Sequence, residues 1–406
     1  MNGSGVWHAE EAWLGHRAEN VVIRVEGGQI KSIEEGAPVP VGATVLKGWT
    51  IPGLANVHSH AFQRLLRGRA ERADGDFWQW RQQMYKVASG WTRLDYFDHC
   101  RWVFREMLKA GITAVGEFHY LHQLGNELGR AVIEAAKKEG VRVTLIDACY
   151  LHGGVDGRTP DEVQQTFSDG DAVSWARRMD ELHDSDGVRI AAAIHSVRAV
   201  DSASMRVVAS YARERGMPLH LHLAEQPAEV EACQRVERCS PTQLLEREGV
   251  LGPDVTAVHA IHCDEADIAI LGRHQATICA CTTSERDLGD RVGPLRALAD
   301  AGCPLSVGSD SNAVIDILEE ARGFELDQRR DTGRRVLHQP EDLLRAATSN
   351  GMRALGWDAG ELRPGGLADF ITVAGDSNLD IGYLVFALGA RDVTNVVVGG
   401  TSVVPK

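Results

Sequence analysis

Short apolar runs rich in β-branched residues alternate with long helical stretches through most of the chain. Eight such runs fall at 50–60, 112–120, 141–150, 188–196, 218–225, 255–262, 276–283 and 304–311. The segments between them have helical periodicity, as in residues 98–110, which Gly111 follows as a stop. Strands that alternate with helices indicate a parallel sheet, and eight such units predict an α/β fold, a (β/α)8 TIM-type barrel.

Both ends of the chain carry a different pattern, in which short strands are joined by Gly and Pro turns. Residues 21–25 and 29–33 flank Gly27 and Gly28, and the pattern returns in 362–373 and 393–404. This is the pattern of β-hairpins. We therefore predict that residues 1–50 and 359–406 together form one small β domain, and that residues 51–358 form the barrel.

Composition restricts the partners and the compartment. The 406 residues carry a formal net charge of −14 without a basic run, which argues against nucleic acid and anionic membranes as partners. No apolar stretch reaches the ~18–20 residues of a transmembrane helix, and the N-terminus lacks a signal-peptide pattern. The eight cysteines are scattered, without Cys-x-x-Cys. We therefore expect a reduced, cytoplasmic compartment.

Polar and ionisable side chains collect at the carboxyl ends of the predicted strands, where barrel enzymes place their active sites. The first run ends in His58-Ser59-His60. Residues i and i+2 of a strand point to the same side, so the two imidazoles can face one metal ion. An isolated pair of this kind is also common as the polar rim of a strand. Histidines at five of the eight strand ends favour the metal site.

The strand ends together predict one divalent metal site. Three imidazoles and one carboxylate suit zinc or another divalent transition ion, and they leave a position for water. The predicted ligands are His58, His60, His222 and Asp310.

Proton transfer needs further groups beside such a site. Glu225 follows His222 by three residues, close enough for its carboxylate to move a proton of the water. The alternative for Glu225 is a charge at a helix N-terminus, where the helix dipole stabilises it. His259 and His262 both follow the sixth run, and spacing alone does not choose between them.

The motifs resemble the metal-dependent amidohydrolase superfamily. The resemblance is carried by Pro-Gly-Leu-x-Asn-x-His-x-His from residue 52, His-x-x-Glu at 222–225, Gly-Ser-Asp-Ser at 308–311 and Pro-Gly-Gly-Leu-Ala-Asp-Phe at 364–370. It implies a (β/α)8 barrel with a small β-sandwich from both termini, and a homodimer. No lysine ends the third or fourth run, so the chain is similar to the mononuclear deaminases, with one Zn²⁺ per subunit.

Within that branch the chain is most similar to the formimidoylglutamate deiminases. The matching segments are 60–64, 77–85, 116–122, 195–200 and 222–226. A glutamate-type ligand has two carboxylates, and arginine binds carboxylates through paired charge-assisted hydrogen bonds. For either arginine taken alone, a surface salt bridge is the alternative. The resemblance implies that the substrate is held by Gln63, Arg81, Tyr120, His195 and Arg198.

The resemblance implies hydrolysis of N-formimino-L-glutamate to N-formyl-L-glutamate and ammonia, a step of histidine degradation. Zinc lowers the pKa of water toward ~7, and Asp310 helps to take the proton. Glu225 delivers a proton to the imino nitrogen. His259, which the superfamily pattern prefers over His262, stabilises the tetrahedral intermediate.

The chain departs from the family pattern in two loops expected to lie over the substrate. Asn312 stands where relatives carry a histidine, and residues 281–291 keep Glu285 but lack a Pro, an Asn and a Gly of the family motif. Other substrates therefore remain open. They are a related amidino or guanidino acid, or a nucleobase-like compound such as guanine, a pterin or an adenosyl compound. From another class, an inactive barrel that serves as a binding protein remains as well.

Overall fold

Two β-sheets organise the protein in the computed structural model, which describes residues 1–68, 77–375 and 380–403. The strands are β1 (Gly5–Trp13), β2 (Arg17–Glu26), β3 (Gln29–Glu34), β4 (Thr44–Pro52), β5 (Leu54–Ser59), β6 (Ile112–His119), β7 (Arg142–Cys149), β8 (Val188–Ile194), β9 (Leu219–Leu223), β10 (Val255–His259), β11 (Thr277–Ala280), β12 (Leu305–Val307), β13 (Phe370–Val373), β14 (Val393–Val398) and β15 (Thr401–Ser402). The helices are α1 (Phe77–Ala88), α2 (Arg93–Lys109), α3 (Glu127–Glu139), α4 (Glu162–Gln165), α5 (Ala172–Met179), α6 (Ser202–Glu214), α7 (Pro227–Glu237), α8 (Pro241–Arg247), α9 (Glu265–Arg273), α10 (Thr282–Leu288), α11 (Leu295–Asp300), α12 (Ile317–Thr332), α13 (Pro340–Ala347), α14 (Ser349–Ala354) and α15 (Ile381–Ala387).

The eight-stranded sheet is a nearly closed parallel barrel that contains β5 to β12 in sequence order. Every residue of β5, β6 and β7 is buried, as expected for parallel strands covered on both faces. Between β12 and β5, the N–H of Asp310 donates to the carbonyl of His58 at 2.9 Å, and its carbonyl accepts from the N–H of His60 at 2.8 Å. The predicted (β/α)8 barrel is confirmed, and its closing bonds lie at the predicted metal ligands.

The seven-stranded sheet combines both ends of the chain in the order β15-β14-β13-β4-β1-β2-β3. The predicted hairpin of 21–25 and 29–33 is formed by β2 and β3. In its centre, β4 pairs in parallel with β1 and antiparallel with β13. A second β unit from both termini is therefore confirmed. Residues 376–379 and 404–406, which belong to the predicted C-terminal segment, lie outside the described residues.

The first predicted barrel run, 50–60, is divided between the two sheets. It breaks at Gly53, between β4 and β5. A Cβ at Gly53 would lie 2.2 Å from Oγ1 of Thr113, so only glycine fits where the chain passes from the terminal sheet to the barrel. The domain boundaries at residues 50/51 and 358/359 remain predictions.

The helix predicted for 98–110 is α2, which begins earlier than the periodicity indicated. Thr92 caps it, since its hydroxyl accepts the N–H of Asp95 at 3.2 Å. The buried positions recur at three- and four-residue spacing, and they are Tyr96, Cys100, Val103, Phe104, Met107 and Leu108. Among the described residues, no helix is long and apolar enough to cross a membrane.

Candidate active site and metal centre

A cavity of about 50 Å³ lies at the carboxyl ends of the barrel strands. All of the site residues predicted from the sequence except His58 line this cavity. His58 is fully buried, and its ring lies edge-on to that of His60 with 4.7 Å between the centroids. The barrel topology therefore brings together residues from the ends of six strands that are far apart in the sequence.

Three histidines and one aspartate form the candidate metal centre. The nitrogens of His58, His60 and His222 lie within 4.8 Å of one another. Nε2 of His222 lies 3.2 Å from Nε2 of His58. Oδ1 of Asp310 lies 3.4 Å from Nε2 of His58 and 3.5 Å from Nε2 of His60. Four donor atoms thus surround one small volume, as the ligands of one divalent metal ion do.

Backbone carbonyls orient two of these imidazoles toward the shared volume. Nδ1 of His60 donates to the carbonyl of Phe118 at 3.0 Å, and Nδ1 of His222 donates to that of His195 at 2.9 Å. Because a carbonyl only accepts, both Nδ1 atoms carry the proton, and each Nε2 keeps its lone pair. Burial lowers the pKa of all three histidines, that of His58 to about 3. The neutral imidazoles therefore fit a divalent metal ion.

Asp310 and His259 hold strained backbone conformations at their strand ends. Their φ angles are +43° and +73°, in the left-handed region that side chains rarely adopt. Such strain concentrates at functional sites, where the surrounding fold enforces it. Burial alone raises the pKa of Asp310, but the hydrogen bond with His58 and the neighbouring histidines lower it below the usual range. Asp310 is therefore an anion beside the three imidazoles.

Glu225 faces the cavity from the turn between β9 and α7. Its Oε2 accepts a hydrogen bond from Nη2 of Arg198 at 3.1 Å. Behind this pair, Oε2 of Glu229 lies 3.2 Å from Nε of Arg198, and Oε1 accepts the N–H of Ala224 at 3.0 Å. The sequence analysis missed Glu229. Glu229 lies in the first turn of α7, where a glutamate side chain often accepts a hydrogen bond from the backbone just before the helix. This position could have identified it.

His259 is held by a second carboxylate. Its Nδ1 lies 3.2 Å from Oε1 of Glu285, which also accepts the N–H of Cys281 at 3.0 Å. Burial alone lowers the pKa of His259, but this hydrogen bond and the nearby carboxylates raise it to about 10. His262, the candidate that spacing left open, lies outside the cavity lining formed by the described residues.

The predicted substrate-binding residues form part of the cavity wall. Nε2 of Gln63 donates to the hydroxyl of Tyr120 at 3.4 Å, and the ring of Tyr120 lies edge-on to that of His195, with 5.3 Å between their centroids. Nη2 of Arg81 donates to the hydroxyl of Tyr150 at 3.4 Å. Tyr150 lines the cavity and was missed, although it ends the third predicted run. Guanidinium groups and phenols therefore share this wall.

Asn312, the first departure from the family pattern, is fully buried beside the barrel closure. Its Nδ2 donates to Oγ of Ser59 at 3.1 Å and to the carbonyl of His60 at 3.0 Å, and its Oδ1 accepts from Oγ of Ser309 at 2.6 Å. Its φ of +57° is one that asparagine tolerates better than most residues. Asn312 therefore joins β5 to the loop after β12 and is not part of the cavity lining. The second departure, 281–291, contains α10, whose Leu288 does line the cavity.

A second cluster of potential ligands is formed by β6, β7 and the segment after β6. It contains His119, His122 and Asp147, whose ligand atoms also lie within 4.8 Å of one another. Nη2 of Arg178 lies 2.7 Å from Oδ1 of Asp147 and 3.2 Å from Nε2 of His122. The guanidinium of Arg178 thus already supplies the positive charge that a metal ion would bring to this cluster. Since Nδ1 of His122 donates to the carbonyl of Phe167 at 2.9 Å, the cluster anchors a segment of the cavity wall.

Comparison with known proteins agrees with this geometry. Residues 49–403 match the Amidohydrolase family. The chain is 33% identical to the formimidoylglutamate deiminase of Pseudomonas aeruginosa over 89% of this chain and 86% of that protein. It is 29% identical to a 5-methylthioadenosine/S-adenosylhomocysteine deaminase of Natronomonas pharaonis over 96% of this chain and 89% of that protein. An amidohydrolase crystal structure from Brucella melitensis has a TM-score of 0.90 and 30% identity, covering 98% of this chain and 94% of that one.

The two named relatives are deaminases of chemically different substrates. One is named for an acidic formimino compound and the other for adenosyl compounds. The comparisons therefore identify the kind of enzyme, and the choice of substrate depends on the side chains that line the cavity.

Proposed function

Since the chain belongs to the amidohydrolase family and is a hydrolase of carbon–nitrogen bonds, we propose that it hydrolyses N-formimino-L-glutamate to N-formyl-L-glutamate and ammonia. One observation carries this proposal. Two guanidinium groups, those of Arg81 and Arg198, line the same cavity as the candidate metal ligands. The overall charge of −14 repels anions, so an acidic substrate needs cations placed locally.

The charges in the cavity match the two ends of this substrate. A protonated formimino group is a cationic amidinium, and Glu225 offers it a carboxylate. The substrate carboxylates are anions, and Arg81 and Arg198 offer them guanidinium groups. A nucleobase has no anionic group for these guanidinium groups, whereas the glutamate part of the proposed substrate has two carboxylates that can accept paired hydrogen bonds from them. This arrangement supports an amidino acid over an adenosyl compound.

The proposed metal is one Zn²⁺ per subunit, held by His58, His60, His222 and Asp310. Their neutral imidazoles and ionised carboxylate support this choice. When bound, zinc supplies a nucleophile at neutral pH because it lowers the pKa of water toward ~7.

The residues of the chain then have separate tasks. Asp310 accepts the first proton of the attacking water, and Glu225 moves the second proton, from the hydroxyl of the tetrahedral intermediate, to the nitrogen that leaves as ammonia. His259, held by Glu285, donates to the oxygen that becomes negative in the tetrahedral intermediate. The substrate is held by Gln63, Arg81, Tyr120, His195 and Arg198.

We place this reaction in histidine degradation, in a cytoplasmic homodimer that has neither nucleic acid nor membrane as a partner. The family resemblance supports the reaction and the dimer. The acidic composition and the scattered cysteines support the compartment and the absence of nucleic-acid and membrane partners.

The test is ammonia release by the zinc-loaded protein from three compounds: N-formimino-L-glutamate, N-formimino-L-aspartate and N-amidino-L-glutamate. We expect the first to have the highest kcat/KM, since shortening the chain misplaces one carboxylate relative to its arginine. Glu225→Gln is the control for contaminating activity. No release from the first compound, together with rapid release from another, would reject the proposed substrate and leave the proton-transfer roles intact.

A further inference from the structure

A glutamine behind the cavity wall has its amide fixed in one orientation. Gln164 lies in α4, and the N–H of Asp161 donates to its Oε1 at 2.9 Å. The N–H of Gln164 donates in return to Oδ1 of Asp161 at 2.8 Å, which completes a capping box. Because the backbone N–H of Asp161 can only donate, Oε1 must be the atom that faces it. Nε2, with its two protons, therefore points to the other side.

Both of these protons are directed to phenol oxygens. Nε2 of Gln164 lies 2.9 Å from the hydroxyl of Tyr150 and 3.1 Å from that of Tyr85. Tyr150 also accepts from Nη2 of Arg81 at 3.4 Å. Neither of these two donors to Tyr150 can accept a hydrogen bond. The oxygen of Tyr150 is thus occupied as an acceptor, and its own proton remains to be donated.

Tyr150 stands where that proton can reach a ligand. It is 3% exposed and lines the cavity, and its ring lies edge-on to that of His195 with 4.6 Å between the centroids. Arg81 and Arg198 line the same cavity. A carboxylate bound between these cations would be an acceptor for the phenol proton.

We propose that Tyr150 donates its phenol proton to a substrate carboxylate, and that Gln164 is the positioning residue that keeps Tyr150 a donor. This inference rests on the proposed function. It adds a specificity-determining residue, because a site built to donate to a carboxylate rejects analogues that lack this acceptor.

The first test removes only the hydroxyl. Tyr150→Phe is expected to raise KM for N-formimino-L-glutamate by about 10- to 100-fold, the range of a hydrogen bond to a charged group, with little change in kcat. Tyr211→Phe is the matched control. Tyr211 lies on α6, where its hydroxyl donates to Asp180 at 2.9 Å, and its loss should not change KM. An unchanged KM in Tyr150→Phe, as expected if Tyr150 donates to Tyr85, would overturn the inference.

Two amide analogues identify the contact. N-formimino-L-glutamine and N-formimino-L-isoglutamine each lack one of the two carboxylates. For one of them, Tyr150→Phe should raise KM much less than it does for the acid, because the amide carbonyl accepts only a weaker, neutral hydrogen bond from the phenol. If the variant raises KM equally for the acid and for both amides, Tyr150 shapes the cavity without binding a carboxylate.

The second test concerns Gln164. In Gln164→Glu the side chain accepts from Tyr150, so the phenol proton turns away from the substrate, and KM should rise as in Tyr150→Phe. Gln164→Leu imposes no acceptor and should raise KM less. Equal effects of both variants, accompanied by a lower thermal midpoint, would indicate a merely structural role. Wild-type protein that releases no ammonia from N-formimino-L-glutamate would reject the proposed function; active wild type with an unaffected Tyr150→Phe rejects this inference alone.

Discussion

Nη2 of Arg198 lies 3.1 Å from Oε2 of Glu225, the carboxylate proposed to carry the proton to the leaving nitrogen. Burial alone lowers the pKa of Arg198, but the carboxylates of Glu229 and Glu225 raise it above the usual range, so the side chain stays cationic. One guanidinium therefore serves two purposes. In the proposed reaction it binds the substrate, and it holds the carboxylate of Glu225, which moves the proton.

This double role separates Arg198 from Arg81 in a kinetic experiment. Arg198→Met should raise KM and lower kcat, because it removes a substrate contact and releases Glu225. Arg81→Met should raise KM by about 10- to 100-fold with little change in kcat, since the interaction lost is a charged hydrogen bond. Steady-state ammonia release measures both constants. If neither variant changes KM, the substrate is not an acid.

Glu285 is predicted to act on catalysis through His259. Glu285→Gln removes the carboxylate that helps to raise the pKa of His259. The pKa of His259 therefore falls, and the imidazolium loses its proton, and with it the hydrogen bond that it donates, at a lower pH than in wild type. The basic limb of the kcat/KM profile should therefore move to lower pH, and kcat at neutral pH should fall by about 10- to 1,000-fold. Glu285→Asp should restore part of the activity. A basic limb that stays in place in Glu285→Gln would show that this carboxylate does not act on the titrating group.

Metal removal should abolish activity without unfolding the barrel. Dialysis against a chelator is expected to remove the bound metal and ammonia release together, and added zinc should restore both. His58→Ala should not regain stoichiometric metal, because three donors remain where four are needed. Elemental analysis of the dialysed protein provides the measurement. His220→Ala is the matched control, since the Nε2 of His220 lies 3.0 Å from the carbonyl of Ala354 and away from the four ligands. Full metal content in His58→Ala would contradict the assignment.

Stability should depend on pH through Glu320, a buried carboxylate that accepts the N–H of Thr283 and the hydroxyl of Thr282, each at 3.0 Å. Burial raises its pKa from 4.5 to about 8, although these hydrogen bonds oppose the shift. Between these values the folded state binds more protons than the unfolded state. The free energy of unfolding therefore falls as pH rises, by up to about 1.4 kcal/mol per pH unit.

Glu320→Gln removes this contribution. Relative to wild type, the variant should gain stability as the pH is raised from about 5 to 8, the window between the two pKa values. Urea unfolding at several pH values measures the difference. Parallel stability curves for the two proteins would show that Glu320 does not titrate in this range.

Much of the fold could be predicted from the sequence because its evidence is local. The alternation of apolar runs and helical stretches indicated the barrel. The i, i+2 spacing of His58 and His60 indicated that their side chains point to the same side of the strand. The break at Gly53 could not be predicted. Its cause is the side chain of Thr113, which approaches only after the two strands have paired.

The contacts that orient the site join distant segments, and for that reason sequence patterns missed them. Glu229 meets Arg198 only because β8 and β9 are neighbours in the barrel. The sequence analysis expected Asn312 in a loop over the substrate, but its amide completes the hydrogen bonds at the barrel closure. The spacing of Asp161 and Gln164 predicts only the start of a helix, whereas the role of Gln164 depends on Tyr150 and Tyr85.

The most direct test of the central claim compares two substrates on one preparation of zinc-loaded protein. The measurement is the ratio of kcat/KM for N-formimino-L-glutamate to kcat/KM for 5-methylthioadenosine. We predict a ratio above about 1,000, because a site built around charged hydrogen bonds discriminates by this factor or more against a ligand that lacks the charges. A ratio below one would contradict the claim and assign the cavity to a nucleoside.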